Sequence, residues 1–244
     1  MTAALRATTV RVLQQLRHDH RTVALLLVVP SMLMGLLAWM LIDHPGVFDH
    51  WGAALLGVFP LIVMFLVTSV ATLRERTSGT LERLLAMPIS RVDFLLGYGF
   101  AFGIAAAIQA IVISVIAFGL LGLDVAGPIW AVLLVAVLVA VLGTALGLFV
   151  SAFARTEFQA VQFMPAVIIP QLLLCGLVAP RATLPRPLEL VSDVLPLSYA
   201  VDAMQRLTVE TGVGSHTWLD MAVIAGFIVA ALALGAATLR RRTP

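Results

Sequence analysis

VAGPIWAVLLVAVLVAVLGTALGLFVSAFA, residues 125–154, runs for thirty residues without a charged side chain. A helix crosses a hydrocarbon core about 30 Å thick with roughly 20 apolar residues, so this stretch reads as a membrane span with turns to spare. Five further stretches share its character: 22–42, 51–73, 94–123, 158–180 and 221–239. Those at 94–123 and 125–154 are longer than a crossing needs and are expected to tilt or to extend past the lipid. The first stretch lacks an A-x-A-like cleavage site and is too long for a signal-peptide core, so it reads as a retained helix. Pro165 and Pro170 are expected to kink the span at 158–180, which neighbouring helices make tolerable.

Composition agrees. Of the 244 residues, 61% are hydrophobic and 11% charged, with a mean hydropathy of +1.06; a soluble domain carries about 25% charged residues. All fifteen cations are arginine, which excludes a GK[ST] phosphate loop and a lysine Schiff base. The single cysteine, Cys175, excludes an intrachain disulfide and a cysteine metal cluster. His18, His20, His44, His50 and His216 all lie outside the apolar stretches, without an HExxH pair or a GxSxG elbow. Neither nucleophile nor metal-ligand spacing is present, so the reading is a single 1–244 membrane domain without enzymatic chemistry of its own. The stretches hold no carboxylate, which counts against a secondary exporter driven through buried acids. Energy for transport is then expected from another polypeptide.

Arginine placement orients the chain, because short arginine-rich loops stay in the cytoplasm. Twelve arginines fall on one side, in the N-terminal arm, the second and fourth connections and the tail; three, Arg181, Arg186 and Arg206, fall on the other. The net charge of +2 thus divides into +7 on the terminal side and −5 opposite. Both termini are expected in the cytoplasm and the protein in the cytoplasmic membrane.

Three segments do not span. The arm at 1–21 sets Leu5, Val12, Leu13 and Leu16 on one helical face and most arginines on the other, the pattern of an interfacial helix with its apolar face in lipid. In the segment at 74–93, Thr80 suits an N-cap, Glu82 the first turn, and Leu81, Leu84 and Leu85 an apolar stripe, with Pro88 as the stop. A short, separately capped amphipathic helix at the membrane edge follows, either folded back on the bundle or presented as a docking surface. The outer segment at 181–220 is expected to hold two short helices, one with Pro187 in its first position and ending near Leu195, the other capped by Ser198 and running over 199–209.

Two GxxxG pairs, Gly99 with Gly103 and Gly143 with Gly147, suit close helix packing within one subunit. Among the polar amides Gln109, Gln159, Gln162 and Gln171, the plain expectation is interhelical hydrogen bonding. Gln162 and Gln171, beside the kinking prolines, together with Phe163, are the candidate substrate path.

The run ERTSGTLERLLAMP, Glu75 to Pro88, resembles the segment between the second and third helices of type-2 ABC exporter permeases. PQLLLCGLVAPRATLP from Pro170 and LPLSYAVDAMQRL from Leu195 are similar to the fifth-helix and outer-hairpin region of the daunorubicin-resistance-type members. The resemblance implies an all-α membrane protein of six transmembrane helices, with an N-terminal interfacial (connecting) helix, a short cytoplasmic coupling helix and an outer re-entrant helical hairpin before the last span. It also implies two permease subunits, identical or sister chains, energised by two cytoplasmic ABC ATPase subunits that bind ATP and Mg. Hydrophobic or amphipathic substrates, a drug, an antibiotic or a lipid, would move outward, with no nucleic acid involved. Glu75, Arg76, Gly79, Thr80, Leu81, Glu82, Arg83 and Leu84 are the expected ATPase-coupling residues: the charges of Glu82 and Arg83 face the ATPase, Leu81 and Leu84 fill apolar contacts, and Gly79 permits the turn. Two other readings stay open at this point, a non-transporting membrane subunit that recruits an ATPase and an ion-coupled secondary exporter.

Overall fold

The computed structural model describes residues 3–77 and 91–238. These form helices and connections, without a strand among the described residues: α1 (Ala3–His18), α2 (His20–Met40), α3 (Pro45–Thr77), α4 (Arg91–Gly119), α5 (Ile129–Ser151), α6 (Glu157–Leu174), a 3-10 turn (Arg181–Thr183), α7 (Arg186–Asp193), α8 (Pro196–Val209) and α9 (Ser215–Thr238). Among the described residues six helices, α2 to α6 and α9, are long and apolar enough to cross a membrane. They alternate in direction, so the chain has a terminal face, carrying the ends of α3 and α5 and the starts of α2, α4 and α6, and an opposite hairpin face carrying α7 and α8. The expected coupling helix, with Gly79, Thr80, Leu81, Glu82, Arg83 and Leu84, lies outside the described residues.

The centre of the bundle is α5. It is apolar all round, as a helix enclosed by others must be, and it packs on α3, α4, α8 and α9. Its tightest contact is with α3. A β-carbon on Gly143 would stand 2.4 Å from the Leu61 carbonyl oxygen, and one on Gly147 would stand 2.6 Å from that of Phe65. The two backbones therefore touch over one helical turn, which only glycine allows. The other GxxxG pair behaves differently: Gly103 has open space beside it and Gly99 an ordinary contact with Leu232. By contrast α2 buries a single stripe, Leu26, Pro30 and Met34, and α6 only Ala160, Ile168 and Gln171. Both present apolar faces outward.

Helix bounds depart from the apolar stretches in both directions. At 33 residues, α3 is about 50 Å long, far beyond a 30 Å core, because a helix continues through polar residues as long as its hydrogen bonds do. The stretches at 94–123 and 125–154 are shortened to Gly119 and Ile129. Gly122 turns at φ +72, the Asp124 N–H donates to Asp49 Oδ1 at 2.9 Å, and the Gly127 N–H donates to the Leu207 carbonyl at 2.9 Å. Docking on α3 and α8 thus uses backbone groups that a longer helix would need. The stretch at 158–180 likewise ends at Leu174, since Gly176 sits at φ +93. The last span begins at Ser215 rather than 221, which brings Asp220 inside α9, 5% exposed. The second hairpin helix starts at Pro196, whose fixed φ suits a first turn, so Ser198 is not its cap and bonds Ser192 Oγ instead at 3.0 Å.

The N-terminal arm is helical as expected, but its apolar stripe is turned to protein. Leu5, Thr8, Thr9 and Val12 are buried, and the arm packs chiefly on α4. Gly97 makes this contact: a β-carbon there would lie 2.7 Å from Thr8 Cβ, and Thr9 Oγ1 donates to the Gly97 carbonyl at 3.2 Å. An apolar stripe satisfies lipid or protein equally, and the missing side chain at Gly97 decides for protein.

Candidate functional site

Three consecutive residues at the end of α3 reach three different elements. Successive side chains on an α-helix point 100° apart, so Arg74, Glu75 and Arg76 cannot share a partner, and they do not. Glu75, 7% exposed, accepts from Arg11 Nη1 of α1 at 3.1 and 3.4 Å. Arg11 Nη2 in turn donates to the hydroxyl of Tyr98 on α4 at 2.7 Å, and its guanidinium lies 5.7 Å from the centre of the Tyr98 ring. Arg74 makes a two-pronged pair with Glu157 in the first turn of α6, at 2.8 and 3.2 Å. Arg76 donates to the carbonyl of Ser151, the last residue of α5, one of the groups that a helix end leaves without an intrahelical partner.

These links differ in weight. The Arg74–Glu157 pair is exposed and contributes little to stability, although Glu157 also complements the dipole of α6. In the Arg11–Glu75–Tyr98 cluster Glu75 and Tyr98 are buried and Arg11 is half-buried. Partial burial opposes the charge on Arg11, yet Tyr98 and Glu75 outweigh it and raise its pKa above the ordinary value. Together the three residues tie the end of α3 to α1, α4, α5 and α6. A displacement of this helix end would therefore bear on four helices. The links are hydrogen bonds and ion pairs, a set that can hold helices together.

Of the residues singled out in the sequence, Glu75 and Arg76 stand in this cluster. The rest of the coupling set lies outside the described residues. Gln162 is exposed on α6 and Gln171 is buried; nine residues apart, they point in opposite directions along the helix, and the structure does not bring them together. The Gln171 amide donates to its own helix at the Val167 carbonyl, 3.0 Å away. Phe163 packs instead beside Leu73 and Ala160, at the terminal end of α3. Arg11, Tyr98, Ser151 and Glu157 were not legible as site residues. One signal did exist: Arg11 interrupts the otherwise apolar and small face formed by Leu5, Thr8 and Val12.

A second charged cluster closes the hairpin face. Arg181 bonds both Asp193 of α7 and Asp202 of α8 and lies 5.8 Å from the Tyr199 ring centre. Tyr199 donates its hydroxyl to the Asp193 carbonyl at 2.6 Å, and Ser192 donates to the Leu174 carbonyl at 2.7 Å. Arg181→Ala is expected to cost about 2 kcal/mol, as two carboxylates lose a charged donor. Limited proteolysis of 181–195 should speed up in the variant, and unchanged cleavage would contradict this assignment.

Comparison with known proteins follows the same outline. Residues 3–208 match the profile of the family described as ABC-2 type transporter. ABC transporter G family member 20 of Dictyostelium discoideum is 29% identical over 166 residues, which cover 67% of this chain and 23% of that protein. The inner membrane transport permease YhhJ of Escherichia coli (strain K12) is 25% identical over 167 residues, covering 67% and 45%. The probable multidrug ABC transporter permease YbhR of the same strain is 24% identical over 165 residues, covering 68% and 45%. The chain thus matches less than half the length of each of these relatives.

Proposed function

The chain belongs to the ABC-2 type transporter family, and from that premise we propose that it is the membrane subunit of an ATP-driven exporter that moves a hydrophobic or amphipathic substrate outward across the cytoplasmic membrane. The observation that carries this reading is the three-way anchoring of Arg74, Glu75 and Arg76 immediately before the segment 78–90. A helix end tied to four neighbours is what a force-receiving segment requires. These 244 residues hold no lysine, so ATP and Mg bind elsewhere, in two copies of an ABC ATPase. Leu81 and Leu84 enter its surface, with Glu82 and Arg83 supplying charge.

The positive-inside distribution supports a cytoplasmic terminal face. A second permease, identical or a sister chain, covers the Gln162 face of α6: Gln162 is an exposed amide beside exposed Phe158 and Ile169, and an amide facing lipid lacks a hydrogen-bond partner. The hairpin of α7 and α8 dips toward the outer leaflet with Leu190, Val191 and Val194 outward. Multidrug permeases among the relatives support a lipophilic substrate class.

The test is co-purification. The double substitution Leu81→Asp and Leu84→Asp is expected to lower recovery of the ATPase with the permease by at least about a hundredfold, since two apolar contacts become buried charges. Full recovery, with ATP hydrolysis still stimulated by substrate, would contradict the docking role.

A further inference from the structure

A cavity of about 640 Å³ opens between α1, α2, α3, α4 and α6 at the terminal face, within the 300–1,000 Å³ typical of ligand sites. Along α3 it runs from Thr77 to Leu66, eleven residues or about 16 Å. Its two ends differ in character. The deep end is apolar, with Leu66, Val67, Val70 and Phe102, whereas the outer end holds Asp19, Thr22 and Arg74. Leu25 and Val161 line it and are 56% and 41% exposed; both belong to helices apolar enough to span, so the cavity opens sideways between such helices rather than being sealed.

The outer end carries both signs of charge. Asp19 accepts the Thr22 N–H at 3.1 Å and the Thr22 hydroxyl at 2.7 Å. Those bonds, the hydroxyl first, hold its pKa below the usual carboxylate range, and among the described residues no cation lies within ion-pair distance of it. Arg74 uses Nε and Nη2 on Glu157, and Nη1 remains to serve a second acceptor. An apolar slot open to the bilayer, with a fixed anion and a guanidinium at its polar end, matches one class of molecule.

We infer that this cavity binds a bilayer aminophospholipid from the leaflet at the terminal face, its ammonium on Asp19, its phosphate on Arg74 and one acyl chain along Val67, Val70 and Val161. The lipid thereby touches the helix end that carries Glu75, which also lines the cavity. The inference rests on membrane embedding and on this geometry, and it stands whether or not the chain exports anything.

The experiment uses the intact chain in phosphatidylglycerol liposomes containing a trace of phosphatidylethanolamine with a photoreactive acyl chain, followed by peptide mapping. Labelling is expected to concentrate on 66–71 and Val161, about tenfold above that at Val229 and Leu234 on the outward face of α9. Photoreactive phosphatidylglycerol should label the cavity about tenfold less, the change that a lost charged contact of about 1.4 kcal/mol produces. Asp19→Asn keeps a competent N-cap and should erase that headgroup preference, while Val70→Trp should remove cavity labelling and leave α9 unchanged. Uniform labelling of all outward faces, or equal labelling by the two headgroups in the unsubstituted chain, would overturn the inference. No ATPase takes part, so failure here leaves the exporter reading untouched, and loss of ATPase binding leaves this result untouched.

Discussion

Gly143→Leu is expected to yield no folded protein. Even the first carbon of the new side chain would sit 2.4 Å from the Leu61 carbonyl oxygen and 2.9 Å from Leu61 Cα, and the obstacle is backbone, which cannot rotate away. Four residues on, Gly147 meets Phe65 in the same way, so α5 cannot slide along α3 to relieve the clash without creating another. Overpacking a well-fitted core costs typically 1–3 kcal/mol, and Gly143→Ala is expected near the upper end, about 3 kcal/mol; leucine adds three more carbons to a contact with no space. Gly103→Ala is the control, because nothing lies within 4 Å of that position and alanine is favoured over glycine in a helix by about 1 kcal/mol. Thermal stability of the detergent-solubilised monodisperse fraction distinguishes the two. Equal stability of the two alanine variants would mean that α3 and α5 do not cross where the structure puts them.

The second large effect concerns Glu75→Gln. The substitution keeps the shape of the side chain but removes the charge that Arg11 faces at 3.1 Å, so α3 loses its firmest link to α1 and α4. Substrate moved per ATP hydrolysed is expected to fall about tenfold, within the range of coupling energies between distant sites, together with about 2 kcal/mol of stability. The charge-swapped pair Arg11→Glu with Glu75→Arg should recover part of both losses, because the Tyr98 hydroxyl can donate to a carboxylate as readily as it accepts from a guanidinium. A double-mutant cycle on Arg11 and Glu75 measures the pair directly. A cycle that closes to zero, with transport unaffected, would remove the cluster from the coupling route.

The six crossings were legible because a charged side chain is excluded from hydrocarbon, and long uncharged stretches have no other common use. Their ends were less legible. The connection at 120–128 contains apolar residues yet is not α-helix, since its backbone groups bond Asp49 and Leu207, residues remote in sequence. α3, conversely, continues through Asp49 and Arg74. The two GxxxG pairs look alike as sequence, and only Gly143 and Gly147 face a backbone, because packing against Leu61 and Phe65 is a property of two helices at once.

The candidate site shows the same division. Glu75 and Arg76 stood out through the resemblance of their motif, but their directions did not, since one residue of helical offset decides between α1 and α5. Arg11 and Tyr98 were hidden for a similar reason: each belongs to an element whose partner lies more than sixty residues away. In sequence the N-terminal arm reads as lipid-facing, because amphipathicity reports a buried face without naming what buries it. Gly97, a small residue in an apolar span, was the detail that named it.

The most direct test of the central claim is transport in sealed proteoliposomes that contain the chain with the permease and ABC ATPase proposed as its partners, with no ion gradient imposed. Movement of a lipophilic fluorescent dye is predicted to begin on addition of MgATP on the ATPase side, and to stop when the ATPase is replaced by a hydrolysis-defective variant. ATP hydrolysis without dye movement, or dye movement that ignores ATP and follows an imposed proton or sodium gradient, would contradict the account.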